Sequence, residues 1–251
     1  MRKIGKQSLR LSLIALLFIV VLSSLCSSVN ATGHYVVNCL VAYDEEWKEV
    51  AWNTYLYRPE TLARIIFEEV AYEFWNSYAI DLRLIVYSFW DSEDSPETAD
   101  QMMDELIQET GFTSGNTYNG FTVHVLIGFT DQAIPLCYGI ADPLLGVVLV
   151  TEYTTMTQGQ HTDNILQHEL THLYDLSDAD QHYEEGVDCV LNLYPVWLPF
   201  PDHHWTYTCM LTNNWCSECR DTIILNRANW GYYSTGSGSG GGGGGYHHCL
   251  N

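Results

Sequence analysis

His168-Glu169-Leu170-Thr171-His172-Leu173-Tyr174-Asp175-Leu176-Ser177-Asp178 is the stretch on which the reading of this chain turns. On a helix, His168 and His172 project from one face a turn apart, so both imidazoles can reach a single ion. Glu169 directly follows the first histidine, where it can hydrogen-bond a water held by that ion and take its proton. Leu166, Leu170 and Leu173 form the other face and would anchor the helix in a core. Imidazole and carboxylate donors, with one coordination position left to water, fit zinc. Such a zinc needs a third protein ligand, and Asp178 stands beyond the point where the helix should stop. Asp175, still on the helix, would have to reach sideways. Glu184 and Glu185 stand too close to His172 for ligands delivered by a separate downstream helix. The helix itself is expected from about Asp163 to Leu176.

Upstream, apolar runs alternate with amphipathic ones. Tyr35–Tyr43 (YVVNCLVAY) reads as a buried strand, and Asp81–Trp90 (DLRLIVYSFW) alternates as a second. Phe121–Phe129 is a third, and Cys137–Val150 holds a fourth and a fifth around Asp142-Pro143. Pro59-Glu60 opens a helix whose Leu62, Ile66, Val70 and Phe74 share one stripe. Asp94-Ser95-Pro96-Glu97 is a second helix start, whose acidic residues complement the helix dipole rather than mark a calcium site. This alternation over the first 150 or so residues predicts an α+β fold, a mixed twisted sheet with packed helices. Residues 179–220, rich in Cys, Trp, Tyr and Pro, lack periodicity and are expected to form an irregular, Cys-rich lower subdomain.

The ends read differently. Residues 1–31 combine Arg2, Lys3, Lys6 and Arg10 with the apolar run Leu11–Leu25 and a small-residue site closing at Ala31, the plan of a secretory signal peptide. Residues 32–235 then form the functional domain, and 236–251 a flexible glycine-rich tail whose His247 and His248 need no metal role. The expected location is extracellular, with no membrane association once the signal is cleaved. Without residues 1–31, six Lys and Arg face 31 Asp and Glu, a net charge of −25. Such a surface argues against a nucleic-acid partner and for solubility. Eight cysteines include Cys26 in the signal, so seven remain and one at least is left outside any disulfide set. His124 reads as a packed strand histidine and His161 as a loop residue; His182, His203 and His204 carry no assigned role.

His168–Asp178 resembles the extended zinc signature of the metzincin clan of metallopeptidases, HExxHxxGxxH or HExxHxxGxxD, the aspartate-ended form being that of snapalysin-type enzymes. The resemblance implies that the chain turns sharply at position 175 and swings Asp178 onto the zinc. Asp175 stands where the clan has glycine; the position needs a left-handed backbone, which Asp is among the few other residues to tolerate. Cys137-Tyr138-Gly139-Ile140-Ala141, followed by Val147–Val150, resembles the edge-strand region of archaemetzincin-like peptidases, implying a strand edge that pairs with an extended peptide. Cys189-Val190-Leu191-Asn192 is similar to the Cys-Val-Met-Asn turn of those enzymes. Leu191 or the literal methionine, Met210, would then floor the zinc ligands, with Met210 preferred. Cys216-Ser217-Glu218-Cys219 resembles their cysteine pair, and Cys189, Cys209, Cys216 and Cys219 could hold a second, structural zinc. In an exported chain, disulfides are the favoured role for these four. The tyrosine that some metzincins place two residues after the turn methionine is replaced by Thr212. Definite motifs cover residues 135–220 or so, and the N-terminal part matches by element order. The implied activity is that of a secreted zinc endopeptidase acting on peptides or proteins, with one catalytic Zn2+ held by His168, His172 and Asp178 and Glu169 as general base. The competing expectation, supported by Asp175, Leu191 and the cysteine spacing, is a non-catalytic exported zinc-binding module.

Overall fold

The first strand, β1 (His34–Tyr43), is buried along almost its whole length, and a strand buried on both faces needs helices on both sides. In the computed structural model, the described residues are 33–92, 98–132, 138–151, 162–177, 189–191, 193–198, 204–209 and 212–235. Tyr35–Ser234 makes one compact unit. β1 pairs in parallel with β2 (Ile80–Phe89) and with β5 (Val125–Thr130). β5 pairs in parallel with β7 (Val147–Thr151), and β6 (Gly139–Asp142) returns antiparallel to β7. The sheet runs β10 (Tyr232–Ser234), β1, β5, β7, β6, with β2 also on β1. The fold is α+β, with a mixed sheet, packed helices and a cysteine-bearing subregion.

The two-residue period of the strands sorts their side chains onto two faces. Val37, Cys39, Val41, Ile127, Phe129, Val148 and Val150 enter the larger core, with α2 (Pro59–Tyr78) and α4 (Thr162–His172) packed on it. Leu40, Ala42, Leu126, Val147 and Leu149 enter the smaller one, under Met102, Met103 and Leu106 of α3 (Ala99–Thr110). The stripe Leu62, Ile66, Val70 and Phe74 is buried as its spacing implies. A short helix, α1 (Glu45–Asn53), was not foreseen; Asp44 caps it by accepting from Trp47 N, and the Trp47 ring sits 4.8 Å from that of Phe129.

Three sequence expectations need correction. The described start of α3 is Thr98, which forms a reciprocal capping box with Gln101, four residues after Asp94; residues 93–97 lie outside the described set. Phe121–Phe129 is not one strand. Phe121–Thr122 (β4) forms a hairpin with Thr117–Tyr118 (β3), and only from Val125 does the chain enter the main sheet. At the break, Asn38 N donates to His124 Nδ1 and His124 N donates to Asn38 O, so His124 is a splice between strands. The lower region is also more regular than expected: β8 (Leu193–Leu198) and β9 (His204–Cys209) form an antiparallel hairpin, and α5 (Ser217–Asn226) follows. No helix among the described residues is long and apolar enough to cross a membrane.

Candidate metal centre

α4 carries the site and is buried on nearly every side, packed between β7, β6 and α2. Only 4 % of His168 and 6 % of Glu169 remain accessible. The helix stops at His172, earlier than the expected Leu176. Leu173 N donates to Leu170 O, Tyr174 N to Thr171 O and Asp175 N to His172 O, each a three-residue step that tightens the last turn. Asp175 then adopts φ 63°, a left-handed conformation, and turns the chain. The turn brings Leu176 O to 2.8 Å from His172 Nδ1.

His168 is held in the same manner, its Nδ1 2.9 Å from Val190 O in the 189–191 turn. A carbonyl only accepts, so each ring carries its proton on Nδ1 and presents a lone pair at Nε2. The two Nε2 atoms are 3.1 Å apart and the rings meet edge to face. Two lone pairs at that distance repel unless a proton or a metal ion lies between them. Tetrahedral zinc with Zn–N of ~2.0–2.1 Å would place its nitrogens ~3.3 Å apart, close to what the rings already adopt. Backbone carbonyls on the far nitrogens are also the usual support for ligating histidines. The donor set fits zinc.

Glu169 Oε2 lies 4.0 Å from His172 Nε2, on the same side as the convergent rings. Its side chain rests against β6 at Gly139. A Cβ there would stand 2.6 Å from both Glu169 Cγ and Oε1, so only glycine leaves the carboxylate room. His168, Glu169 and His172 form one cluster of potential ligands. Asp175 does not join it: it is exposed, and its Oδ2 accepts from Asn229 Nδ2 at 3.1 Å, which removes the alternative of Asp175 as third ligand. Asp178, His161, His182, Glu184, Glu185, His203 and Met210 lie outside the described residues.

A second cluster of potential ligands is made of thiols. Cys189, Cys216 and Cys219 are buried, with Cys189 Sγ 3.6 Å and Cys216 Sγ 3.3 Å from Cys219 Sγ. These separations far exceed the ~2.05 Å of a disulfide, and no disulfide joins Cys39, Cys189, Cys216 or Cys219. They approach the ~3.8 Å expected between sulfurs on one tetrahedral zinc. Hydrogen bonding from Cys219 holds the Cys189 thiol below the usual thiol range, while the same bond and burial push Cys219 upward. Cys209 closes β9 opposite Leu193. Tyr78 and Trp215 roof this region, their rings 5.0 Å apart and edge to face.

No protein-family profile matches the chain. No curated protein sequence matches it. Among solved structures, archaemetzincin from Methanopyrus kandleri is 15% identical, with 77% of this chain and 96% of that one covered at a TM-score of 0.48. A zinc-dependent peptidase from Methanocorpusculum labreanum is 12% identical, with 73% and 99% covered at a TM-score of 0.42.

Proposed function

We propose that this protein is an exported zinc endopeptidase of metzincin type, with His168 and His172 as two zinc ligands, Asp178 as the third and Glu169 as general base. The observation that carries this reading is the pair of Nε2 atoms, 3.1 Å apart, each presented by a ring tied through Nδ1 to a backbone carbonyl, with a buried carboxylate beside them. A purely structural site has no use for Glu169. Zinc, when bound, polarises a scissile carbonyl and brings the pKa of water towards ~7.

The chain's own groups do the rest. A peptide adds as a strand along β6, the last strand of the sheet order. Gly139 places Glu169 against that strand, so the carboxylate faces the bond to be cut. Glu169 takes the water's proton on a carboxylate oxygen and delivers it to the leaving amine. Met210 or Leu191 forms the floor, Met210 being preferred; Leu191 stands beside Val190, the residue that holds His168. Cys189, Cys216 and Cys219, with Cys209 as fourth ligand, hold a second, structural zinc.

The test is cleavage of casein or a mixed peptide library, with and without a chelator, by the wild type and Glu169→Gln. The expected result is chelator-sensitive cleavage by the wild type. The variant should retain its zinc and lose activity by roughly 10²–10⁴-fold, the usual contribution of a positioned base. Undiminished cleavage by Glu169→Gln would remove Glu169 from its role. Bound zinc with no cleavage of any peptide by the wild type would make the protein a zinc-binding module.

A further inference from the structure

We propose that the thiol cluster Cys189, Cys216 and Cys219 is a positioning device for His168, so that metal held by the thiols raises the affinity of the histidine site for its own metal. This rests on the zinc reading of the histidine site and goes beyond it by coupling the two centres.

Three linked observations carry it. Cys189 is covalently joined to Val190, whose carbonyl receives the His168 Nδ1 proton at 2.9 Å. The same Val190 donates its N–H to Asn214 O at 2.8 Å, so the residue that orients the ring is gripped from both sides. Asn214 stands two residues before Cys216, and its neighbours form a strap along α4. Asn164 Nδ2 donates to Asn213 Oδ1 at 2.6 Å, Gln167 Nε2 to Asn213 O at 3.1 Å, and Trp215 Nε1 to Thr171 Oγ1 at 3.0 Å. Asn164, Gln167 and Thr171 follow helical spacing and make one stripe beside the stripe of His168 and His172.

The turn therefore starts at one thiol, and the strap ends at another. Cys189 and Cys216 both meet Cys219, within 3.6 and 3.3 Å. The result is a closed circuit from the His168 ring through Val190, Asn214 and Trp215 back to the helix, clasped at the sulfurs. Thiol–thiol contacts are weak clasps, since S–H is a poor donor. A soft metal ion binding the sulfurs would fix both ends of the circuit at once. Val190 O would then stay in place, and with it the ring and tautomer of His168. Disturbing groups that orient a ligating histidine typically costs 10–100-fold in metal affinity. Linkage makes the coupling reciprocal, so metal at the histidines must tighten metal at the thiols by the same factor.

The test uses the metal-stripped full-length protein. One equivalent of Cd2+ is added to fill the thiols, followed by its thiolate absorption band, and zinc affinity of the remaining site is measured by competition with a chromophoric chelator. Cadmium should tighten zinc binding at the histidines at least ~10-fold. Cys216→Ser/Cys219→Ser should lose the cadmium band and the gain together. Trp215→Phe, which keeps the thiols and removes the indole bond to Thr171, should keep the band and lose most of the gain. Equal zinc affinity with and without cadmium in the wild type overturns the proposal, however the variants behave. Coupled zinc binding without peptide cleavage would remove the peptidase reading alone, and peptide cleavage without coupling would remove this inference alone.

Discussion

Asp175 sits with φ at 63° in the turn that ends α4, a conformation strained for any side chain and least so for Asp and Asn. Its carboxylate recovers part of that strain through Asn229. Asp175→Ala keeps the strain and loses the bond, and should destabilise the protein by about 1–2 kcal/mol in urea denaturation. Asp175→Gly relieves the strain and should fall within about 0.5 kcal/mol of the wild type. If alanine proves as well tolerated as glycine, this turn is not under strain. The conformation was foreseen only through the resemblance of His168–Asp178 to the extended zinc signature, which implies a sharp turn at position 175; periodicity alone carried the helix on to Leu176. The carbonyls of Val190 and Leu176 that fix the two imidazoles were not foreseen. They are main-chain atoms, and no side-chain pattern announces where a carbonyl will point.

Among the elements, the strands β1, β2, β6 and β7 and the helix α2 follow the apolar periodicities of their sequences to within a residue or two. The β8–β9 hairpin escaped notice because Pro195 stands within its first strand, and proline weakens a strand signal except at an edge. α1 escaped because it is short, although Asp44 and the acids after it are a proper helix start. β10 depends on one residue. Gly231 has φ 82°, and a Cβ there would overlap the carbonyl oxygen of Val36 in β1. Gly231→Ala should cost about 3 kcal/mol or more. Gly115→Ala, at a similar φ of 84° but with nothing nearby, should cost only about 1–2 kcal/mol. Equal losses in the two variants would show that the close approach to β1 carries no weight.

At the level of the whole molecule, the ends of the parallel strands gather carboxylates. Asp44, following β1, is fully buried, and its pKa is pushed up to about 7, chiefly by burial, with Glu46 and Glu45 adding to the shift. A folded-state value above the ordinary one means that folding takes up a proton. The stabilisation is complete below about pH 4 and is lost as the pH rises through about 7, roughly 4 kcal/mol if the whole shift is realised. Asp44→Asn keeps a side-chain oxygen for Trp47 N and does not titrate. It should flatten the stability profile between pH 5 and 8 and leave the variant more stable than the wild type at pH 8, as measured by thermal unfolding. Parallel profiles for the two proteins would remove Asp44 as the source. The sheet order has one more consequence, for biogenesis. Of the described strands β1 is synthesised first, yet its partners β2, β5 and β10 begin only at Ile80, Val125 and Tyr232. A sticky, β-branched segment must therefore wait unpaired while much of the polypeptide is still being made, which makes the nascent chain most prone to aggregate before residue 130 has emerged.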